Sequence, residues 1–213
     1  MSASDLLETA GKRFARLATR AVVARPRLWR LFRRPIRAQF DRLAPVWHGR
    51  GGPETLAAMA AALDLLEEPP RRALDLGTGT GKAALLVADR FPDAEVVGVD
   101  LAPGMIAEAQ RLRPAEVGER LRYEVADAAA LPFPDGDFDL VVLHNMIPFF
   151  PELRRVTAPG GALVVSSGYG PETPIWTPPE TLRARLGPLG FTGFEELAAG
   201  PATALLARRP KPG

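Results

Sequence analysis

Residues 72–82 read RALDLGTGTGK, an apolar run that carries Asp75 and opens into Gly77, Thr78, Gly79 and Gly81. Glycines let the backbone turn tightly and let a ligand approach it closely. A helix starting just beyond them offers free N–H groups that favour an anion. The pattern is therefore suited to a nucleotide-like ligand. A phosphate-binding P-loop would need GxxxxGK[ST], but Gly77 to Gly81–Lys82 is one residue short and Ala83 stands where a hydroxyl should ligate magnesium. A dinucleotide fingerprint would need its third glycine at Lys82. Two further acids close apolar runs downstream: Asp100 ends VVGVD, 19 residues after Gly81, and Asp127 ends LRYEVAD. His144 ends FDLVVLH and is of the type that moves protons near neutral pH. With no cysteine, the chain has no disulfide, thiolate metal site or cysteine nucleophile. His48 and His144 are its only histidines, so a histidine-based metal site is not expected.

These residues need a frame that brings run ends together. From residue 70 onward short apolar runs alternate with helical stretches: ALDLG, a helix over 81–90, EVVGVD, a helix over 103–112, LRYEVAD, FDLVVLHN and GALVVSS. That alternation predicts βαβ units, a mostly parallel sheet and helices on both faces. A helix over 179–187 then leads to two closing strands, FTGFEELAAG and TALLARR. In an open sheet of this kind, ligands bind outside the carboxyl ends of the strands, where Asp75, Asp100 and Asp127 all fall.

The N-terminal part is different. An amphipathic helix is expected over 5–24, with Asp5 and Glu8 at capping-box spacing and Leu6, Ala10, Phe14, Leu17 and Ala21 on one side. Pro26 ends it, RLWRLFRR comes next, and Pro35 suits the first turn of another helix carrying Ile36, Phe40 and Leu43. A glycine-rich loop (Gly49–Pro53) and a helix over 54–66 complete the segment. The division expected is a helical extension or cap over 1–68 and a ligand-binding domain over 69–213.

Charge divides along the same line. Residues 1–50 hold twelve basic and three acidic groups, a local net of +9, and the remaining 163 residues are net −7. Nucleic acid, an anionic membrane surface or the acidic body are the partners such a split suggests. Arginine outnumbers lysine 24 to 3, which GC-rich codon usage explains, although it does not explain the clustering. No apolar run approaches the roughly 20 residues that span a bilayer. Arginine interrupts each apolar stretch of the first 40 residues, and Asp5 and Glu8 sit badly in a transit peptide. A cytoplasmic location is expected.

The loop D-x-G-x-G-x-G and the segments downstream of it resemble the class I S-adenosylmethionine-dependent methyltransferases over most of residues 70–208. LAPGMI after Asp100, VADAAALPFPDGDFDLVV and RRVTAPGGALVVS match that family's landmarks. The resemblance implies a Rossmann-like three-layer sandwich, a seven-stranded sheet with its last strand antiparallel, and S-adenosyl-L-methionine as cofactor. By it, Gly77, Thr78, Gly79 and Gly81 wrap the methionine part and Asp75 faces its amino group. Asp100 accepts the ribose hydroxyls, and Leu101 and Met105 flank the adenosine. Asp127 faces the adenine amino group beside Ala128, and His144 borders the donor.

Methyl transfer from a sulfonium needs above all the alignment of donor and acceptor, with a base only for a weak nucleophile. LHNMIPFF contains no [DN]PP[YF] tetrapeptide, which argues against amino-group methylation of nucleic acid or protein. LPFPDGDFD and QFDRLAPVW are similar to the ubiquinone/menaquinone C-methyltransferase branch, although His48 replaces an acid usual there. The spacing from Asp139 to Ala158 shortens the helix after the fourth strand to about a turn. The expected activity is O- or C-directed methyl transfer to a small molecule. An RNA methyltransferase gripping phosphates with the basic segment, and a cofactor-binding protein without transferase activity, are the alternatives. His144 is the candidate general base, or else a cofactor or packing contact. Tyr169 and Trp176 either line the acceptor site or pack in loops, and residues 27–40 could rest on a membrane surface.

Overall fold

The computed structural model describes residues 3–211, with side chains from Thr9 onward. The Asp5–Glu8 capping pair and Leu6 lie outside the described side chains. Seven strands form one sheet: β1 (Arg72–Leu76), β2 (Glu95–Asp100), β3 (Leu121–Val125), β4 (Phe138–His144), β5 (Thr157–Ser167), β6 (Thr192–Ala199) and β7 (Ala202–Arg208). Their order is β3-β2-β1-β4-β5-β7-β6. Pairing is parallel from β3 through β5, and β7 runs antiparallel to both β5 and β6. The sheet expected from the sequence is thus present, a Rossmann-like sandwich with only β7 reversed.

Strand periodicity sends alternate residues to opposite faces, so each strand feeds two cores. Leu74, Val97, Val141, Leu143 and Leu163 pack on one face with α6 (Phe150–Val156) and α7 (Pro179–Leu186). Ala73, Val96, Leu140, Val142 and Val164 pack on the other with α3 (Ala57–Leu63), α4 (Lys82–Arg90) and α5 (Pro103–Leu112). Although α3 falls in the N-terminal stretch, it covers β5, β6 and β7 as one layer of the sandwich. The helix after β4 is longer than its spacing suggested, since α6 has seven residues, about two turns.

Above the carboxyl ends of the strands lie α1 (Ala3–Ala24) and α2 (Trp29–Trp47), joined through a short 3-10 turn at Pro26–Leu28. Here the sequence expectation needs correction. Pro35 does not start a helix; it sits inside α2, as does Pro45. The helix begins earlier because Trp29 and Phe32 are drawn onto apolar surface beneath them. Burial of that side outweighs the roughly 3 kcal/mol that an interior proline costs. Phe40, Leu43 and Trp47 then close over Ala102 and Met105 in a third, small cluster.

Candidate functional site

Between the strand ends and the two N-terminal helices is a cavity of about 1070 Å³, lined by residues of both. That is at the upper end of the size range for small-molecule sites. β1 and β4 are neighbours from which the chain winds away in opposite directions, so the cavity sits at the topological switch point of the sheet.

β1 delivers Asp75 to its floor, only 1% exposed. Oδ2 accepts the Thr78 hydroxyl at 2.6 Å, and Oδ1 is buried with no hydrogen-bond partner. Burial pushes the Asp75 carboxyl up to about 7, against the pull of the Thr78 hydrogen bond. The following loop turns through positive φ at Gly77 (74°), Gly79 (54°) and Gly81 (89°), a region in which side chains are strained. Space is also tight. A Cβ on Gly77 would lie 2.6 Å from the Met146 sulfur, and one on Gly81 would strike the Tyr123 hydroxyl. Gly81 then opens α4 as its N-cap.

Asp100 closes β2 and braces this loop, taking the Gly79 N–H on Oδ2 at 3.0 Å and the Ala102 N–H on Oδ1 at 2.9 Å. Burial raises its carboxyl, and these N–H groups pull it back. Gly77, Thr78, Gly79, Asp100, Leu101 and Ala128 all line the cavity with Asp75. Met105 does not. The start of α5 turns it inward, fully buried beneath Ala44, so the expected adenosine contact is replaced by a packing role. Gly81 stands one step behind the cavity wall as the cap of α4. Asp127 is the other departure. Its carboxylate is taken up by Trp29 and Arg33 of α2 and does not reach the cavity.

His144 ends β4 and faces the cavity, as expected, but both ring nitrogens are engaged. The Gly168 N–H can only donate, so the Asn145 oxygen that meets it at 2.9 Å fixes the amide orientation. The Asn145 amide nitrogen therefore donates to His144 Nε2 at 3.0 Å. The ring proton is then on Nδ1, 2.9 Å from Ser166 Oγ, whose own hydrogen goes to the Leu143 carbonyl. Burial, helped by the Lys82 charge, pushes the imidazole down to about 4. This geometry favours, of the two roles expected of His144, the packing contact over the general base. His144 Nε2 is covered by the Asn145 amide. Asn145 itself has φ 52°, the one positive value outside glycine among the described residues.

The roof comes from the N-terminal helices. Phe14, Ile36, Phe40 and Leu43 present apolar surface, and Lys12, Arg37, Arg42 and Arg50 bring positive charge to the rim. Lys82 Nζ donates to the carbonyls of Arg50 (3.0 Å) and Gly51 (2.8 Å), tying the chain beyond α2 to the glycine loop. His48 Nδ1 lies 3.3 Å from the Thr80 hydroxyl, a loop contact. Tyr169 lines the cavity at 44% exposure, whereas Trp176 lines a separate pocket of about 230 Å³ beside β5 and β7. Among the described residues no cluster of His, Cys, Asp or Glu could hold a metal, and no helix is long and apolar enough to cross a membrane.

The sequence did not mark three of these features. Trp29 stood out only as part of an Arg-aromatic alternation, and neither Met146 over Gly77 nor the Asn145 clamp had a local signal. The residue type at Asn145 was permissive, since asparagine tolerates the left-handed region.

Residues 73–161 match the family model described as a methyltransferase domain. The chain is 52% identical over 112 residues to the demethylmenaquinone methyltransferase of Thermus thermophilus, covering 49% of this chain and 50% of that protein. It is 43% identical over 111 residues to the malonyl-[acyl-carrier protein] O-methyltransferase of Halorhodospira halophila, covering 49% of this chain and 37% of that one. It thus spans half or less of the length of these curated relatives. In fold, it is similar to a SAM-dependent methyltransferase from Aquifex aeolicus, with a TM-score of 0.63 and 16% identity over 81% of this chain and 97% of that one.

Proposed function

We propose, from the premise that residues 73–161 are a class I S-adenosylmethionine-dependent methyltransferase domain, that the protein transfers a methyl group to a small-molecule acceptor through an oxygen or carbon atom. The cofactor is S-adenosyl-L-methionine, which supplies the activated methyl. One observation carries the reading. Asp75, whose buried Oδ1 has no hydrogen-bond partner, lines the same cavity as Asp100 and a glycine loop with no room for side chains. A buried acceptor without a donor is costly, and an ammonium group is the donor that a carboxylate at this place would hold most firmly.

On this reading Asp75 binds the amino group of the cofactor, Gly77 and Gly79 approach its chain, and Asp100 accepts the ribose hydroxyls on lone pairs left free by Gly79 and Ala102. Leu101 and Ala128 border the nucleoside. His144 and Asn145 hold the ends of β4 and β5 at a fixed spacing beside the acceptor. Phe14, Ile36 and Phe40 give the acceptor an apolar roof that excludes water from the reacting atoms. Within the N-terminal stretch, α1 and α2 act as the substrate-side cap, whereas α3 belongs to the sandwich. The protein works in the cytoplasm, and the basic residues of 27–40 provide its contact with anionic membrane surfaces.

Calorimetry with S-adenosylhomocysteine tests the cofactor site, with Asp100→Ala as control. Binding to the wild type and its loss in the variant are expected, and no binding to the wild type would end the reading. Turnover is then assayed by label transfer from the cofactor to quinol and carboxylic-acid acceptors, the classes that the relatives' names suggest.

A further inference from the structure

Lys82 is the first residue of α4, directly after the glycine loop. A phosphate-binding loop would turn such a lysine toward an anion, but here the chain itself engages it. Nζ donates to the Arg50 carbonyl at 3.0 Å and to the Gly51 carbonyl at 2.8 Å. Successive carbonyls point apart in extended chain, and the left-handed turn at Gly51 (φ 69°) lets this pair converge on one ammonium. The neighbouring residues meet in the same order. A Cβ on Gly79 would stand 3.2 Å from the Trp47 indole nitrogen, and the Thr80 hydroxyl is 3.3 Å from His48 Nδ1. Residues 79–82 of the loop and 47–51 at the end of α2 thus run side by side as a seam. Gly79, Thr80 and Lys82 on one side of it, and Trp47, Arg50 and Gly51 on the other, all line the cavity. The Lys82 pair is the strongest contact in the seam, since a charged donor makes a hydrogen bond roughly twice as strong as a neutral one.

We propose that Lys82 is a positioning residue that latches residues 47–51 onto the glycine loop, so that the demethylated cofactor leaves only when this seam opens. The inference rests on the reading of the cavity as a cofactor site. A loop with glycine at every second position has many conformations open to it. Two charge-assisted bonds from the residue that follows it select the one in which Gly79 meets Trp47. Order imposed on the loop in advance lowers the entropy that a ligand must remove on binding. By linkage, a bound cofactor holds the seam closed by the same factor by which the seam holds the cofactor. Lys82 thereby sets the residence time of the cofactor without having to touch it.

Limited digestion and ligand release test this together. Trypsin cleaves after Arg50 at the carbonyl that Lys82 holds, so cleavage there reports the open seam without any ligand. In Lys82→Met it should speed up roughly tenfold, while cleavage after Arg122, inside β3, stays at the wild-type rate. Gly51→Ala disturbs the two carbonyls and leaves Lys82 in place. It should behave like Lys82→Met, and the double variant should be no worse than the worse single one. In stopped-flow measurements, S-adenosylhomocysteine should leave Lys82→Met roughly tenfold faster than the wild type. Saturating S-adenosylhomocysteine should slow cleavage after Arg50 in the wild type and hardly change it in Lys82→Met. Faster release with unchanged cleavage would mean that Lys82 contacts the cofactor itself, and equal acceleration after Arg50 and Arg122 would mean a general loss of stability. Either result, additive losses in the double variant, or unchanged release would overturn the inference while leaving the cofactor site standing. Absence of S-adenosylhomocysteine binding to the wild type would instead overturn the cofactor reading and this inference with it.

Discussion

The sheet and the pair of helices above it are held by different physics. The sheet has a continuous ladder and a dry core on each face, with Leu74, Leu140, Leu143 and Leu163 fully buried. The helix pair joins the edge of one core through Val22, Trp29, Phe32 and Ile36, adds the small cluster around Ala44 and Met105, and is otherwise held by scattered polar ties. Asp41 accepts the Gly104 N–H at 2.9 Å, Arg185 donates to the Val23 carbonyl at 2.9 Å, and Asp127 holds Trp29 and Arg33. Close packing keeps atoms in place, which suits the cofactor contacts proposed for Asp75 and Asp100. A cover with a thinner apolar seat and more polar ties is the more readily displaced of the two, which suits the acceptor side of the proposed function.

The largest expected effect breaks the sheet. Phe138 is fully buried and packs edge-on to Phe133, so Phe138→Ala should cost about 3–5 kcal/mol in urea unfolding. Phe40→Ala on α2 should leave the urea midpoint almost unchanged yet speed trypsin cleavage of the Arg-rich helices. Equal shifts of the midpoint would mean that cover and sheet unfold as one unit, and the contrast would fail.

Asp75 gives the next effect. Its folded pKa is raised from 3.8 to about 7, so its contribution to stability is greatest below about pH 4 and declines as pH rises to 7. Compared with Asp75→Asn, the wild type should lose ground over that window, on the order of a few kcal/mol, as read by thermal unfolding across pH. The same carboxyl must be ionised to hold an ammonium. Affinity for S-adenosylhomocysteine should therefore be flat above pH 7 and fall by at most about tenfold per unit below it. A flat profile from pH 5 to 8 would remove Asp75 from that role. Smallest is Arg33→Ala. Its side chain is 48% exposed, and its loss should change stability by no more than about 1 kcal/mol.

The sheet and the glycine loop were legible because their signals are local. Alternating apolar runs, three glycines at spacing two and an acid at each strand end can all be read from one stretch of chain at a time. The departures lie where a distant partner decides. Trp29 and Asp127 are 98 residues apart, and no periodicity links them. Pro35 looks like a helix start because proline is common there, and only the apolar seat under Trp29 and Phe32 reveals that the helix is already running. Leu101 and Met105 appear as neighbours in sequence, but α5 begins between them at Pro103, so one stays at the cavity and the other turns under α2. His144 was correctly placed at the end of β4. Its chemistry depended on the Asn145 amide, whose direction is set by a donor on the far side of β5.

The two prolines inside α2 have a mechanical meaning. Each lacks an N–H, so the rungs that would have ended on the carbonyls of Leu31 and Asp41 are missing. The helix behaves as a jointed rod whose first link carries Trp29 and whose middle link carries Phe40 and Leu43. A joint at Pro35 separates the part of the roof that carries Trp29 from the part that carries Phe40 and Leu43. In the proposed function, such a cover moves one link at a time and keeps the other in place.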